Sequence, residues 1–600
     1  MSDSPSGAAA RPWLPLVFDG SPHPAKTLLF LLVCAAWLIP GLLGHDPWKY
    51  EEAVSLGVIQ EMVLHGHWLS PQLAGEPYTL RPPFYYWLAA ALVRLFGTHL
   101  PAHESARIAS ALCVAFTLFA ISRAASMLYG ERHARLPVTL LLGAIGLVIR
   151  AHEINPDLGF LAGYALVLWG IAQARATEGN RALAEFDIAP DVRGGATLAG
   201  LLTGLGVTLA YLSRGGLALG MTLPLLAWTA WRRRNQLSTM VPLLGLGVGL
   251  PILGIGLWVW SASGLPNGGG SADPSWFAAW WGGEGSRVLN PLRWIDQHAD
   301  PLFYPLLLSW YGWPIAPLAL WTAWDAWRGR LGDVDVQMPL FALLSGLICV
   351  GLGTAPREAS MLPLLLPLAL LATAGVDKLR RGTASLLDWF GSMTFGLFCS
   401  LLWLGWIALL TGQPTSVVRY LDRQLPDYSA HLDWGAFSFA LAVTLFWIVA
   451  IAKSRQNPRR AVLNWAVGLT TFWLLLMTLW LPYIDLSRSY RQPFTAIGQA
   501  LPAGHGCVAS HGLGEPQRAL LEYYLNLYTE RLERHTGQRC RLMLEQRHQR
   551  ALTPPPTGAR ILWEGARPGD RDEWFRLLAL PTGAGRLPQD DRLFQPPSPP

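Results

Sequence analysis

Long apolar runs separated by short polar breaks dominate the chain from Thr27 to Tyr483. A membrane span needs about 20 mostly apolar residues. By that measure the pattern predicts helices over Thr27–Gly44, Glu104–Leu128, Leu136–His152, Leu158–Ala174, Ala196–Leu212, Gly215–Trp231 and Met240–Trp260. After a longer polar stretch come Leu302–Trp324, Met338–Thr354, Ser360–Val376, Phe390–Leu410, Trp434–Ala452 and Val462–Tyr483. The length criterion thus predicts about 13 transmembrane helices. Phe84–Gly97 is apolar but short.

Charge placement orients these helices. Basic residues mark cytoplasmic loops. Arg132 and Arg135, Arg232 to Arg234, Lys378 with Arg380 and Arg381, and Arg459 with Arg460 fall on one side only if Phe84–Gly97 does not cross. It is then a re-entrant or interfacial helix. The N-terminus is expected in the cytoplasm, with 45–103, 153–157, 261–300 and everything after Tyr483 outside. Residues 1–26 read as a cytoplasmic tail without a cleavable signal. Residues 27–483 read as the transmembrane domain. Past Tyr483 the pattern changes to strand candidates Gly506–His511 and Gly558–Trp563 and helix candidates Glu515–Gly537 and Glu573–Leu580. This predicts a small α/β domain over 484–586, periplasmic in a bacterium, before a Pro-rich tail over 587–600.

Composition agrees. Hydrophobic residues are 52% and charged residues 14%, against about 25% charged in soluble domains. The chain is not a disordered protein, a coiled coil, a disulfide scaffold or an ordinary cytosolic enzyme. Six cysteines are too few for a disulfide framework. Cys507 and Cys540 share the outer domain and are either bridged or two buried thiols.

The candidate chemistry lies in the outer loops. The first carries H-D-P-W-K-Y-E-E from His45, then an amphipathic stretch with Ala53, Val54, Val58, Met62 and Val63 spaced to lie on a membrane surface, then G-E-P-Y-T-L-R-P-P from Gly75. Asp46 follows a span and Arg81 precedes an apolar segment. Ionisable groups at such depths are costly and point to function. His152, Glu153 and Asp157 offer metal-ligand types without a zinc signature, so a divalent metal is an open alternative. Gly268, Gly269 and Gly270 with Trp276, Trp280 and Trp281 read either as a lid or as an interfacial tryptophan belt. No P-loop motif is present, which disfavours an ATP-driven pump.

These first-loop residues resemble those of the GT-C glycosyltransferases, in the branch of the bacterial aminoarabinose transferases of lipid A and the protein O-mannosyltransferases. The matching residues are Asp46, Lys49, Tyr50 and Glu52, then Gly66 and Trp68, then Gly75, Glu76, Pro77, Tyr78, Arg81, Pro82, Pro83, Tyr86 and Trp87. Further along, R-I-A-S-A-L at Arg107, N-P-D-L at Asn155 and Y-L-S-R-G at Tyr211 are similar to later motifs of the family. Pro47 stands where the family has an acidic residue, and Arg81 and Arg214 where it has Lys.

The resemblance implies a polytopic GT-C fold in the bacterial inner membrane. It implies transfer of a sugar from a polyprenyl-phosphate donor, of the undecaprenyl-phosphate type, to a periplasmic acceptor. That acceptor is lipid A, another glycolipid, a glycan or a protein, and the anomeric carbon inverts. Leaving phosphate needs fixed cations, so Arg81 and Lys49 are expected at the donor phosphate, with Arg357 as a third. Acceptor activation needs a carboxylate, expected to be Asp46. Asp157 is expected to position the acceptor, and Glu52, Tyr78 and Tyr86 to bind substrate. The competing reading is a transporter or flippase of a lipid-linked sugar.

Overall fold

The computed structural model describes residues 24–184, 192–263, 274–285, 295–329, 331–426, 428–453, 458–534, 540–548, 554–570 and 572–581. The fold is a multi-pass helical bundle with a small sheet domain at its C-terminal end. Nine helices among the described residues are long and apolar enough to cross a membrane. The four others of the sequence pattern fall short. Thr27–Gly44 becomes a short helix, Pro24–Leu38, and Gly216–Arg232 is 17 residues long. Leu136–His152 breaks into Leu136–Leu142 and Ile145–Arg150, and Leu302–Trp324 into Phe303–Tyr311 and Ile315–Trp327. The breaks fall at Gly143, where a Cβ would lie 2.8 Å from Trp465, and at Gly312 to Pro314. Phe84–Phe96 is also too short by the same measure. Apart from 24–26, the N-terminal tail lies outside the described residues, as do Gly268 to Gly270 and the Pro-rich tail.

Burial sorts the helices. Glu358–Val376 is 94% buried in its most apolar stretch and sits at the centre, whereas Leu237–Ala262 and Trp434–Lys453 are only 17% buried. The latter pair present Ile252, Leu253, Phe446 and Ile448 outward, as lipid-facing helices must.

The first outer loop is not a strip lying on a membrane. Its helix, Glu51–His65, buries Ala53, Val54, Leu56, Val58, Ile59 and Met62. The C-terminal domain covers it. At Gly57 a Cβ would lie 2.7 Å from the Ala519 Cβ and 2.6 Å from Leu73, so only a glycine lets the helix Glu515–Leu525 come this close. A two-residue turn follows between β1 (Gln72–Leu73) and β2 (Glu76–Pro77). Ala74 (φ 49°) and Gly75 (φ 74°) are both left-handed, the geometry that tight hairpins require.

The C-terminal domain is a five-stranded sheet in the order β4-β3-β5-β7-β6, from β3 (Val508–His511), β4 (Thr529–Arg531), β5 (Leu542–His548), β6 (Arg560–Ala566) and β7 (Glu573–Ala579). β3 is parallel to β4 and β5, and β7 is antiparallel to β5 and β6. The helix Glu515–Leu525 joins β3 to β4 and ends at Asn526 (φ 50°), earlier than the sequence pattern suggested. Glu573–Leu580, expected to be a helix, is strand β7. Both its faces are covered, with Phe575 and Leu577 in one apolar cluster and Leu578 in another.

Cys507 and Cys540 are bridged, with Cα atoms 5.2 Å apart and a separation of 33 positions in sequence. A loop of that size implies about 3–4 kcal/mol of stabilisation by the chain-entropy model. Labelling unfolded, unreduced protein is expected to modify Cys34, Cys113, Cys349 and Cys399 only; labelling of Cys507 and Cys540 as well would remove the bridge.

Candidate active site

Arg81 and Asp157 meet at the ends of two helices. Asp157 opens the helix Asp157–Ala184, and its N–H donates to Asn155 Oδ1 at 2.9 Å. Arg81 follows the hairpin, just before Pro82 and Pro83 start Phe84–Phe96. Trp276 Nε1 holds this stretch by donating to the carbonyls of Pro71 (2.9 Å) and Tyr78 (3.1 Å). The Arg81 fork then donates to both Asp157 oxygens, at 2.5 and 3.3 Å. Arg214, the last residue of Val192–Arg214, reaches the same carboxylate at 3.2 Å. Its other arm donates to Ser360 Oγ at 3.3 Å. Two guanidinium groups thus share one buried aspartate, which leaves net positive charge facing outward.

That charge lines a cavity of about 300 Å³, with Tyr50, Glu51, Tyr78, Arg214, Glu284 and Arg357 among its walls. Glu51 Oε2 lies 3.6 Å from Arg81 Nη2. Burial would favour loss of the Arg81 proton, but Asp157 and Glu51 outweigh it and keep the group charged. Arg357 is exposed at the rim and has no ion-pair partner among the described residues. Its backbone N–H donates to Tyr304 Oη at 3.3 Å. A cavity with three cations, several carboxylates and an aromatic wall can hold a phosphate beside a polar sugar.

A family model described as dolichyl-phosphate-mannose-protein mannosyltransferase matches residues 80–260. The undecaprenyl phosphate-α-4-amino-4-deoxy-L-arabinose arabinosyl transferase of Pseudomonas aeruginosa strain LESB58 is 29% identical over 469 residues, covering 76% of this chain and 75% of that one. The protein of the same name from Pseudomonas savastanoi pv. phaseolicola is 27% identical over 468 residues, covering 75% and 76%. Crystal structures of ArnT from Cupriavidus metallidurans, one bound to undecaprenyl phosphate and one apo, each superpose with a TM-score of 0.61. They are 16% and 17% identical and cover 92% and 93% of this chain and 98% of theirs. This chain is a membrane glycosyltransferase with the GT-C fold.

In this glycosyltransferase, Tyr78, Arg81 and Arg357 of the expected site residues line the cavity, and Asp157 lies directly behind Arg81. The other four lie elsewhere. Asp46 faces a separate cleft with His103, Asp485, Ser489 and Arg491. Its carboxylate accepts from Ser489 Oγ at 2.5 Å and from Arg491 Nε at 2.9 and 3.0 Å. Burial alone would raise its pKa, but Arg491 and Ser489 prevail and hold it below the ordinary aspartate value. Lys49 pairs with Glu573 of the C-terminal domain at 3.1 Å. Tyr86 is fully buried, its ring edge-on to Tyr78 with centroids 6.3 Å apart.

Glu52 is a brace. Arg107 Nε donates to it at 2.8 Å, Trp48 N at 2.9 Å and Ile154 N at 3.1 Å. It ties the first loop to the second, which carries Asp157. Burial pushes its carboxyl up, but the Arg107 guanidinium outweighs that and holds it below the usual range. Its stabilising effect is therefore present above the unfolded pKa and is lost as pH falls through the lowered folded value. Glu52→Gln should destabilise the protein by about 3–5 kcal/mol, read as a large drop in Tm near pH 7; an unchanged Tm would show that the pair contributes nothing.

The candidate metal trio does not converge. Both ring nitrogens of His152 sit on backbone carbonyls, of Val148 (2.5 Å) and Trp37 (3.0 Å), while Glu153 pairs with Arg150 at 3.0 Å. Trp276 and Trp280 are buried against Trp258 rather than exposed as a belt. Glu51 lines the cavity and was not among the expected site residues. It is one helical step, about 100°, from Glu52, so one carboxylate turns inward to Arg107 and the other outward to the cavity. Glu284 and Arg491 carried no sequence signal.

Proposed function

We propose that this glycosyltransferase moves an amino-pentose from undecaprenyl phosphate to an acceptor at the periplasmic face of the bacterial inner membrane. The observation that carries this reading is the cavity itself, lined by Arg81, Arg214 and Arg357 together with Glu51, Glu284 and Asp296. The arginines hold the donor phosphate. The carboxylates suit a sugar that carries a protonated amine, the sugar named in the related Pseudomonas transferases. The bond from the anomeric carbon to phosphate oxygen breaks and its electron pair stays on the phosphate, where the cations stabilise it. The acceptor oxygen attacks from the opposite face, so configuration inverts, and its proton passes to Glu51. Asp157 positions the two arginines.

We place the base at Glu51 rather than Asp46 because Glu51 lines the cavity with the arginines, whereas Asp46 faces a separate cleft. A transporter would set its ionisable groups near the midplane of broken helices. Arg81, Asp157, Arg214 and Arg357 instead collect at helix ends. Purified protein in nanodiscs is expected to release undecaprenyl phosphate from the amino-pentose donor and to add that sugar's mass to lipid A. Use of a neutral-sugar donor in preference would remove the amino-sugar assignment, and donor movement without transfer would favour the transporter.

The C-terminal domain lies outside the cytoplasm in this reading, which the basic loops support. A reporter active only in the cytoplasm should stay silent when fused after Pro600. Strong activity there would overturn the orientation.

A further inference from the structure

The first-loop helix ends in E-M-V-L-H-G-H, Glu61 to His67. The i, i+4 spacing sets Glu61 and His65 on one face. Gly66, at φ 78°, turns the chain so that His67 comes back to the same carboxylate. Nδ1 of His65 and Nδ1 of His67 each lie 3.2 Å from Glu61 Oε2. Glu522, from the C-terminal domain, faces them. Single ligand atoms of Glu61, His65 and Glu522 all lie within 4.8 Å of one another. None of these residues lines the sugar-transfer cavity.

Both carboxylates are only 1% exposed. Glu61 Oε1 accepts the Gly75 N–H at 2.7 Å, and Glu522 Oε1 accepts the Tyr528 hydroxyl at 3.1 Å. Those bonds orient the two groups and leave Oε2 of each turned elsewhere. Glu522 Oε2 is buried without a hydrogen-bond partner. Two buried carboxylates facing each other are costly unless a cation lies between them.

We propose that Glu61, His65, His67 and Glu522 bind a divalent transition metal of the zinc type, which clasps the first outer loop to the C-terminal domain. Two imidazoles and two carboxylates are a ligand set that zinc accepts. Bonds of about 2.0–2.2 Å in a tetrahedron place ligand atoms about 3.3–3.5 Å apart. The two distances from Glu61 to the histidines are already close to that value, so Glu522 has to draw in and His67 has to turn toward His65 to complete the tetrahedron. The Gly75 N–H on Glu61 supplies the outer hydrogen bond that orients a metal-bound carboxylate.

The test uses the full chain in detergent, stripped with a chelator, equilibrated with zinc chloride and desalted. Elemental mass spectrometry is expected to find about one tightly bound zinc per chain, and added zinc should raise Tm. His65→Ala with His67→Ala should bind at least about tenfold more weakly and lose the zinc-dependent rise in Tm. These side chains are 40% and 28% exposed, so the stripped variant should melt with stripped wild type. Glu522→Gln, which keeps volume, should give the same loss of zinc if the double variant proves unstable. Wild type that retains no zinc, or variants that retain it fully, would overturn the site and leave ordinary histidine–carboxylate pairs.

Discussion

Arg81→Ala is expected to abolish donor binding and to lower turnover by about 100- to 1,000-fold, the usual cost of losing one fixed donor at a developing charge. Arg81 is buried and makes a two-pronged bond to Asp157, while Glu51 stands on its other side. Removing it deletes a cation from the phosphate site and also leaves Arg214 as the only ion-pair partner of Asp157 among the described residues. Breaking such a pair costs about 3–5 kcal/mol, so the melting temperature has to be followed alongside activity. Arg81→Lys separates the two effects. It keeps the charge, loses the fork, and should recover part of the turnover. Binding of undecaprenyl phosphate and single-turnover rates in nanodiscs measure this. A folded alanine variant that binds and turns over like wild type would remove Arg81 from the donor site.

Glu51→Gln should leave donor binding within a few-fold and reduce turnover with a hydroxyl acceptor by about 100- to 10,000-fold, the range for a lost general base. Glutamine keeps the size and cannot take the proton. Asp46→Asn is the control, and it weakens the contact with Arg491 and Ser489. Its larger effect should be on Tm, with turnover closer to normal. The reverse ranking, with Asp46→Asn inactive and Glu51→Gln active, would return the base to Asp46.

The sequence pattern disclosed the long spans because span length is a strong physical requirement. It drew as single continuous helices two apolar runs that a glycine or proline interrupts, at Gly143 and at Gly312 to Pro314, since length alone does not register a break. β7 was misread because both of its faces are buried, and a short apolar run without alternation does not distinguish strand from helix. Arg81 could be picked out because a charge beside an apolar segment is conspicuous. Asp46 was equally conspicuous, but its partner Arg491 is 445 residues away, and nothing local in sequence foretells such a pairing. Glu51 and Glu52 differ only in helical phase, which depends on where the helix starts.

The close crossing of Gly57 and Ala519 bears on how this enzyme can be engineered. The C-terminal domain resembles a removable cap in chain order, yet its helix Glu515–Leu525 is the roof of the first-loop helix, and cutting after Tyr483 would leave Ala53 and Gly57 uncovered. A minimal catalytic core made by truncation would expose a greasy, unpaired helix beside Glu51. Chimaeras between relatives should therefore exchange the first loop and the C-terminal domain as one cassette, because a bulkier side chain at either half of this contact would lift the roof and shift the cavity wall with it.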